Sequence, residues 1–238
     1  MNIFQKTKGK IQKWLENEGL PNRISWESIL YFKKIFNFNN LHSKKIIKNY
    51  FDSNSIIKIQ FGSGEDTLPG FLNTDLIGKI PVDITKKLPF KDNSVDLFYS
   101  NHTVEHIYHK DFDFFLKETF KKLKNNGIHI ISTPSIEKIN RLMYFSKDKY
   151  LKKEVLESFA DPGEDITSAI FLNRIIHIRY LHKFLYDLET IKLLGKKHGY
   201  KNIYLVKGDK VLDPTITNKL KKRDPVARAI TDTYVLIK

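Results

Sequence analysis

Gly62-Ser63-Gly64, Asp75 and Asp83 follow one another closely in a chain of 238 residues. Their types and order suit a grip on a ligand built around a ribose. Glycines without Cβ atoms let main-chain amides approach a ligand at the carboxyl end of a strand, where open α/β sheets bind. An acid at the end of the next strand, Asp75, can accept from both ribose hydroxyls, and Asp83 supplies a second acceptor. Either aspartate alone would also suit a turn or a helix cap, so it is their order behind the two glycines that carries the ligand reading. A dinucleotide fingerprint is disfavoured by the spacing: Thr67 stands at the third-glycine position, and Asp75 comes only thirteen positions after Gly62. The segment 65–70, EDTLPG, is too short for a crossover helix. The loop amides must therefore work without a helix dipole.

The histidines suggest a second chemistry. His102-Thr103-Val104-Glu105-His106 matches the H-x-x-E-H pattern in which two helix-borne imidazoles hold zinc and a glutamate activates water, and His109 extends the same face. A zinc peptidase through His102, Glu105 and His106 is thus a minor alternative. Its context disagrees, because the motif follows an apolar strand directly, and no metal is expected. His102 and His106 are otherwise candidate general bases beside a strand end, with His177 and His182 in a later aromatic stretch, HIRYLHKFLYD.

Patterning along the chain assigns the supporting framework. Residues 1–54 form a basic helical arm, with Ile11, Trp14, Leu15, Ile29, Leu30, Phe32 and Phe36 at helix-like spacing. From Ser55 short apolar runs bounded by turn residues predict strands near 56–61, 71–75, 81–84, 95–100 and 127–132. A helix over 111–124 places Phe112, Phe115, Leu116, Phe120 and Leu123 on one side and Lys117, Lys121 and Lys122 on the other, and Asn126-Gly127 stops it. Helical material near 135–185 is expected as a lid. A helix over 188–198 ends at Gly199, and strands near 202–207 and 232–237 close the sheet. The connection 210–229 reads as a long, mobile insertion.

The ordered run from Ile56 to Pro134, through LPFKDNSVDLFYSNHTVEHI and NNGIHIISTPS, resembles the class I S-adenosylmethionine-dependent methyltransferases of the compact, methyltransferase-11-like bacterial type. The resemblance covers 55–135 well and 171–238 loosely. It implies a three-layer α/β/α Rossmann-like fold, a mostly parallel seven-stranded sheet with an antiparallel terminal strand, and a domain over 55–238. It implies S-adenosyl-L-methionine as cofactor, with Phe61, Gly62, Ser63 and Gly64 around its methionine portion and Asp75 and Leu76 at the ribose. Asp83 and Ile84 would meet the adenine, and Ser100 and Asn101 would line the tail. Gln60 departs from the family's usual acid two positions before the first glycine, which removes a charge pair with the cofactor ammonium. The pair Glu105-His106 recurs at this point in that family without zinc.

Composition bounds the reading further. The formal charge of +14 would favour a polyanionic partner, but only six of the 41 basic residues are Arg and the lysines are spread over most helical faces. A small molecule or saccharide, methylated on oxygen or nitrogen, is the expected acceptor. RNA methylation and a non-catalytic cofactor-binding module are the alternatives. Absence of cysteine excludes disulfide scaffolds, thiolate zinc sites and a cysteine nucleophile. With no apolar run long enough to span a membrane, a cytoplasmic protein is expected.

Overall fold

The structure, a computed structural model, describes residues 40–238 apart from positions 77, 162 and 179–181. The apolar positions expected in the arm, Ile11 to Phe36, lie outside the described residues, as does the side chain of His177. The chain divides into two compact units, Met1–Ile46 and Ile47–Lys238. Of the first, only the opening of helix α1 (Asn40–Ser53) is described. Among the described residues, no helix is long and apolar enough to cross a membrane.

Six strands make one sheet in the second unit. They are β1 (Lys58–Phe61), β2 (Leu72–Asn73), β3 (Val95–Asn101), β4 (Leu123–Pro134), β5 (Asn202–Leu205) and β6 (Thr231–Ile237), in the order β2-β1-β3-β4-β6-β5. The first four in that order run parallel, and β6 is antiparallel to both β4 and β5. The expected strand at 81–84 shrinks to one bridge, Asp75 to Pro81, followed by a hydrogen bond from the Val82 amide to the Asp75 carbonyl at 2.8 Å. Pro81 has no N–H to extend a ladder, and Asp83 turns the chain at once by accepting from the Thr85 amide at 2.9 Å.

Alternation along β3 divides the core between two faces. Leu97 and Tyr99 join Ile130, Val235, Ile216 and Leu220, the last two from helix α7 (Pro214–Lys221). Phe98 turns the other way, stacking on Phe61 at 5.1 Å, and Phe115 of helix α2 (His109–Lys122) meets Phe61 edge-on at the same separation. The sheet is thus covered on both sides, the α/β Rossmann-like arrangement expected. Helix α2 ends at Lys122, earlier than expected, because β4 begins at Leu123 and Asn126 makes its turn inside that strand at φ 62°. Lys122 is buried rather than solvated, and its ammonium is held by Asp92 at 2.6 Å.

The segment after β4 forms α3 (Ile136–Asn140), a π turn (Arg141–Phe145), α4 (Lys149–Ser158), α5 (Ser168–Asn173) and a second π turn (Arg174–Ile178). Its apolar side chains, among them Ile139, Met143, Val155 and Phe171, make a satellite core with Ile230. Helix α6 (Leu188–His198) has Asp187 as its cap and Gly199 in the left-handed region at its end. The connection 210–229 is not a loose insertion. Asp213 caps α7 and Asp224 caps α8 (Pro225–Ile230), and each helix begins on a proline. The buried Ile216 and Leu220 then seal α7 to the sheet.

His129 sits on β4 between Phe98 and Phe115, fully buried, with neither ring nitrogen hydrogen-bonded. Burial pushes its imidazole down from 6.5 to about 3. The unfolded chain therefore takes up a proton near pH 6.5 that the folded chain refuses, so this group costs stability progressively as pH falls from 6.5 toward 3. Between pH 7 and pH 5 the loss is about 2 kcal/mol. Urea unfolding at the two pH values should show a smaller decrease in a His129→Leu protein by about that amount. An equal decrease in both proteins would overturn this assignment.

Candidate active site

At the carboxyl end of β1 the backbone turns through Gly62 at φ +61° and Gly64 at φ +52°. The two glycines serve different ends. A Cβ on Gly62 would lie 2.3 Å from the Thr103 hydroxyl, so this position brings the loop onto the chain leaving β3. Around Gly64 a Cβ would meet no atom of the described residues within 4 Å, so among these the second glycine faces open space.

The loop is tied down by its neighbours. The Ser63 amide donates to the Thr74 carbonyl at 3.0 Å, and both the amide and the hydroxyl of Thr74 donate to the Gln60 carbonyl at 2.8 Å. Gln60 holds the local backbone together. Its Oε1 accepts from the Leu68 amide at 3.1 Å and its Nε2 donates to the Asp66 carbonyl at 3.0 Å. These bonds fold the short 65–68 connection without a helix. Asp75 comes back onto the loop, its Oδ2 accepting from the Gly64 amide at 2.8 Å. Leu76 beside it is exposed, and Ile84 is buried. Asp83 Oδ1 accepts from the Thr85 hydroxyl at 2.6 Å as well as from its amide, which fixes the carboxylate in a turn. The Asp75–Pro81 bridge lays residues 81–84 beside the end of β2, so both acids belong to the same rim of the sheet. Of the loop's expected contacts, Phe61 has its ring in the aromatic core, leaving only its backbone at the rim.

The end of β3 supplies the remaining groups. Ser100 is fully buried and its hydroxyl has no hydrogen-bond partner. Asn101 Oδ1 accepts from the guanidinium of Arg223 at 3.2 Å. Sequence reasoning missed that contact; Arg223 lies 122 positions away in the 210–229 connection. His102 adopts φ 49°, a left-handed conformation uncommon outside glycine and a frequent mark of functional positions. Its Nδ1 is 3.1 Å from Glu105 Oε1, and its Nε2 is 3.2 Å from the Thr231 hydroxyl. Nδ1 thus faces the carboxylate as an ion-pair contact, and Nε2 pairs with the hydroxyl. The His102 side chain keeps 35% of its surface exposed, whereas Glu105 is fully buried.

Burial alone would raise the Glu105 carboxyl, but the close contact and charge of His102, with His106 and His182 further off, hold it below the usual carboxylate range. It is an ionised carboxylate in the interior, with Thr133 donating to its Oε2 at 3.0 Å. The H-x-x-E-H pattern does not form the helix its zinc reading needs. Residues Val104–His106 make a single 3₁₀ turn, and His102 precedes it, engaged with Glu105 and Thr231. His106 is exposed and packs edge-on against His182, with ring centres 4.9 Å apart.

A family model described as a methyltransferase domain matches residues 72–131. That span holds Asp75, Asp83, Ser100, Asn101, His102 and Glu105, and the glycine loop stands just ahead of it. Residues 72–131 thus carry a methyltransferase domain. The methyltransferase is similar in fold to a SAM-dependent methyltransferase from Archaeoglobus fulgidus, with 14% identity, 87% of this chain and 98% of that chain covered, and a TM-score of 0.47. It is similar also to a possible histamine N-methyltransferase from Thermotoga maritima, with 14% identity, 96% and 99% covered, and a TM-score of 0.47. A third is phosphoethanolamine N-methyltransferase 2 of Haemonchus contortus, solved with S-adenosyl-L-methionine: 12% identity, 96% of this chain but 60% of that chain, TM-score 0.41. No curated protein matches the methyltransferase in sequence.

Proposed function

We propose that the methyltransferase acts on a hydroxyl of a small-molecule or saccharide acceptor, with His102 as general base. One observation carries this reading: an imidazole at a strand end whose Nδ1 lies 3.1 Å from a buried, ionised Glu105 and whose Nε2 lies 3.2 Å from the Thr231 hydroxyl. An amine acceptor needs only its neutral lone pair, whereas a hydroxyl gains from a base held in place.

In this reading the open space over Gly64 receives the amino-acid tail of the cofactor, and Asp75, one residue beyond the Gly loop's tether at Thr74, takes the ribose hydroxyls. Ser63 and the Phe61 backbone complete the loop, with Leu76 at the ribose edge. Asp83 and the Ile84 amide serve the adenine, and Ser100 and Asn101 line the tail. The fit rests on a cradle that a Cβ would fill and on a carboxylate at hydrogen-bond distance from the loop amide. The cofactor supplies an already activated methyl group. The chain's own work is to align the acceptor oxygen, exclude water with the helical lid over 135–185, and take the acceptor proton at His102 Nε2.

Methyl-labelled S-adenosylmethionine, offered with panels of hydroxylated sugars, small amines and total RNA, tests this. Label on oxygen of a sugar or small molecule, with release of S-adenosylhomocysteine, is the expected result. Label confined to RNA or to amines would overturn it. So would S-adenosylhomocysteine binding with no transfer to any acceptor.

A further inference from the structure

Glu105, His106 and His182 bring one carboxylate oxygen and two imidazole nitrogens within 4.8 Å of one another. We propose that these three side chains bind a divalent transition cation of the Zn2+ type, whose open coordination position takes the acceptor hydroxyl. The use of the ion in catalysis rests on the hydroxyl-acceptor reading above; its binding does not.

Two nitrogens and one carboxylate oxygen form a donor set that zinc accepts in catalytic sites, where three protein ligands leave a fourth position open. Bonds of about 2.1 Å place tetrahedral ligand atoms roughly 3.4 Å apart. Atoms up to 4.8 Å apart must close by at most about 1.4 Å, and the exposed His106 is the ligand freest to change rotamer. The other two ligands are already set. Glu105 is held by the Thr133 hydroxyl on Oε2, and its buried Oε1, 3.1 Å from His102 Nδ1 but without a hydrogen bond among the described residues, keeps lone pairs for a ligand.

His182 is brought to Glu105 by the backbone itself: the Lys183 amide donates to the Glu105 carbonyl at 2.6 Å, and the Phe184 amide reaches the same oxygen at 3.4 Å. The neighbouring cation is turned aside, since the Lys183 ammonium lies over the Tyr108 ring at 5.5 Å. A plain edge-on histidine pair explains the ring contact of His106 and His182. It does not explain a carboxylate oxygen within 4.8 Å of both imidazoles.

The cation would act on the acceptor as zinc acts on water, lowering the hydroxyl's pKa toward neutrality. The O–H proton passes to His102 Nε2, the new O–CH3 bond forms as the S–CH3 bond breaks, S-adenosylhomocysteine leaves, and the ion keeps its oxidation state. The acceptors favoured are hydroxyls with a second oxygen nearby, as in vicinal diols, because these can chelate.

Tag-free, chelator-stripped protein titrated with Zn2+ alone by calorimetry is the test, with bound metal quantified and Co2+ used as an optical reporter. Stoichiometric binding near one ion per chain is expected, weakened at least tenfold in both His106→Ala and His182→Ala while S-adenosylhomocysteine affinity is unchanged. Because His182 is buried, the exposed His106→Ala variant keeps the test clear if His182→Ala misfolds. No saturable binding, or binding indifferent to His106→Ala, overturns the site. If zinc binds but transfer to hydroxyls is untouched by a chelator, the catalytic use is overturned and the hydroxyl-acceptor reading stands. If zinc binds and no hydroxyl is methylated at all, that reading fails and the cation site survives it.

Discussion

Replacing His102 by asparagine is expected to lower kcat by about 10²- to 10⁴-fold while leaving S-adenosylhomocysteine affinity within a factor of two or so. Asparagine is chosen because it tolerates the left-handed conformation that residue 102 adopts at φ 49°, so the backbone after β3 is kept. Its amide can still donate toward Glu105, which avoids stranding a buried charge. What it cannot do is take the acceptor's proton, so transfer should fall while S-adenosylhomocysteine affinity and thermal stability hold, a split that a merely structural role would not produce. Glu105→Gln should act through the same imidazole, lowering kcat by about 10- to 100-fold, and the double variant should be little worse than His102→Asn alone. Full turnover in His102→Asn would remove the base.

Gly62→Ala should cost on the order of 2–4 kcal/mol of stability and abolish measurable S-adenosylhomocysteine binding. Two effects contribute. An alanine held at φ +61° costs about 1 kcal/mol or more for a left-handed backbone. The new methyl would also stand 2.3 Å from the Thr103 hydroxyl, which itself donates to the Asn101 carbonyl at 3.1 Å, so relieving the overlap shifts the end of β3. Adding Thr103→Ala should recover the steric part and leave the backbone part. Gly64→Ala provides the contrast: the same conformational cost at φ +52°, open space around the methyl, and hence a small stability loss beside a large affinity loss. Thermal unfolding and calorimetric titration separate the two. Equal behaviour of the two glycine variants would contradict the division of labour between them.

The parts of the fold fixed by local chemistry are legible in the chain. Helix α6 lies over the expected residues because Asp187 caps its start and Gly199 ends it, both local signals. The glycine pair, Asp75 and Asp83 follow one another along the chain and share one rim of the sheet. Local rules misjudge three places. Pro81 falls inside an apolar run that reads as a strand, but its missing N–H cannot extend one. The Asp213-Pro214 and Asp224-Pro225 pairs, each a cap followed by a favoured first helical residue, signal helices α7 and α8 within a connection whose length suggests a loop. Lys122 continues the basic stripe of α2 in sequence, yet its side chain is buried and its ammonium reaches the exposed Asp92. The remaining features have no local signal. His182 meets Glu105, and Arg223 meets Asn101, only because the sheet and its connections carry distant segments to one edge.

The reversal of β6 changes which end of a strand meets the ligand. The parallel strands present their last residues to the rim, but the pairing of Pro134 with Thr231 shows that β6 arrives there with its first. Whatever precedes β6 must therefore unload onto that edge, which is why the α7–α8 excursion delivers Arg223 to Asn101 and Thr231 to His102. Growth or trimming of this one surface connection would therefore reshape that edge while the strands keep their register.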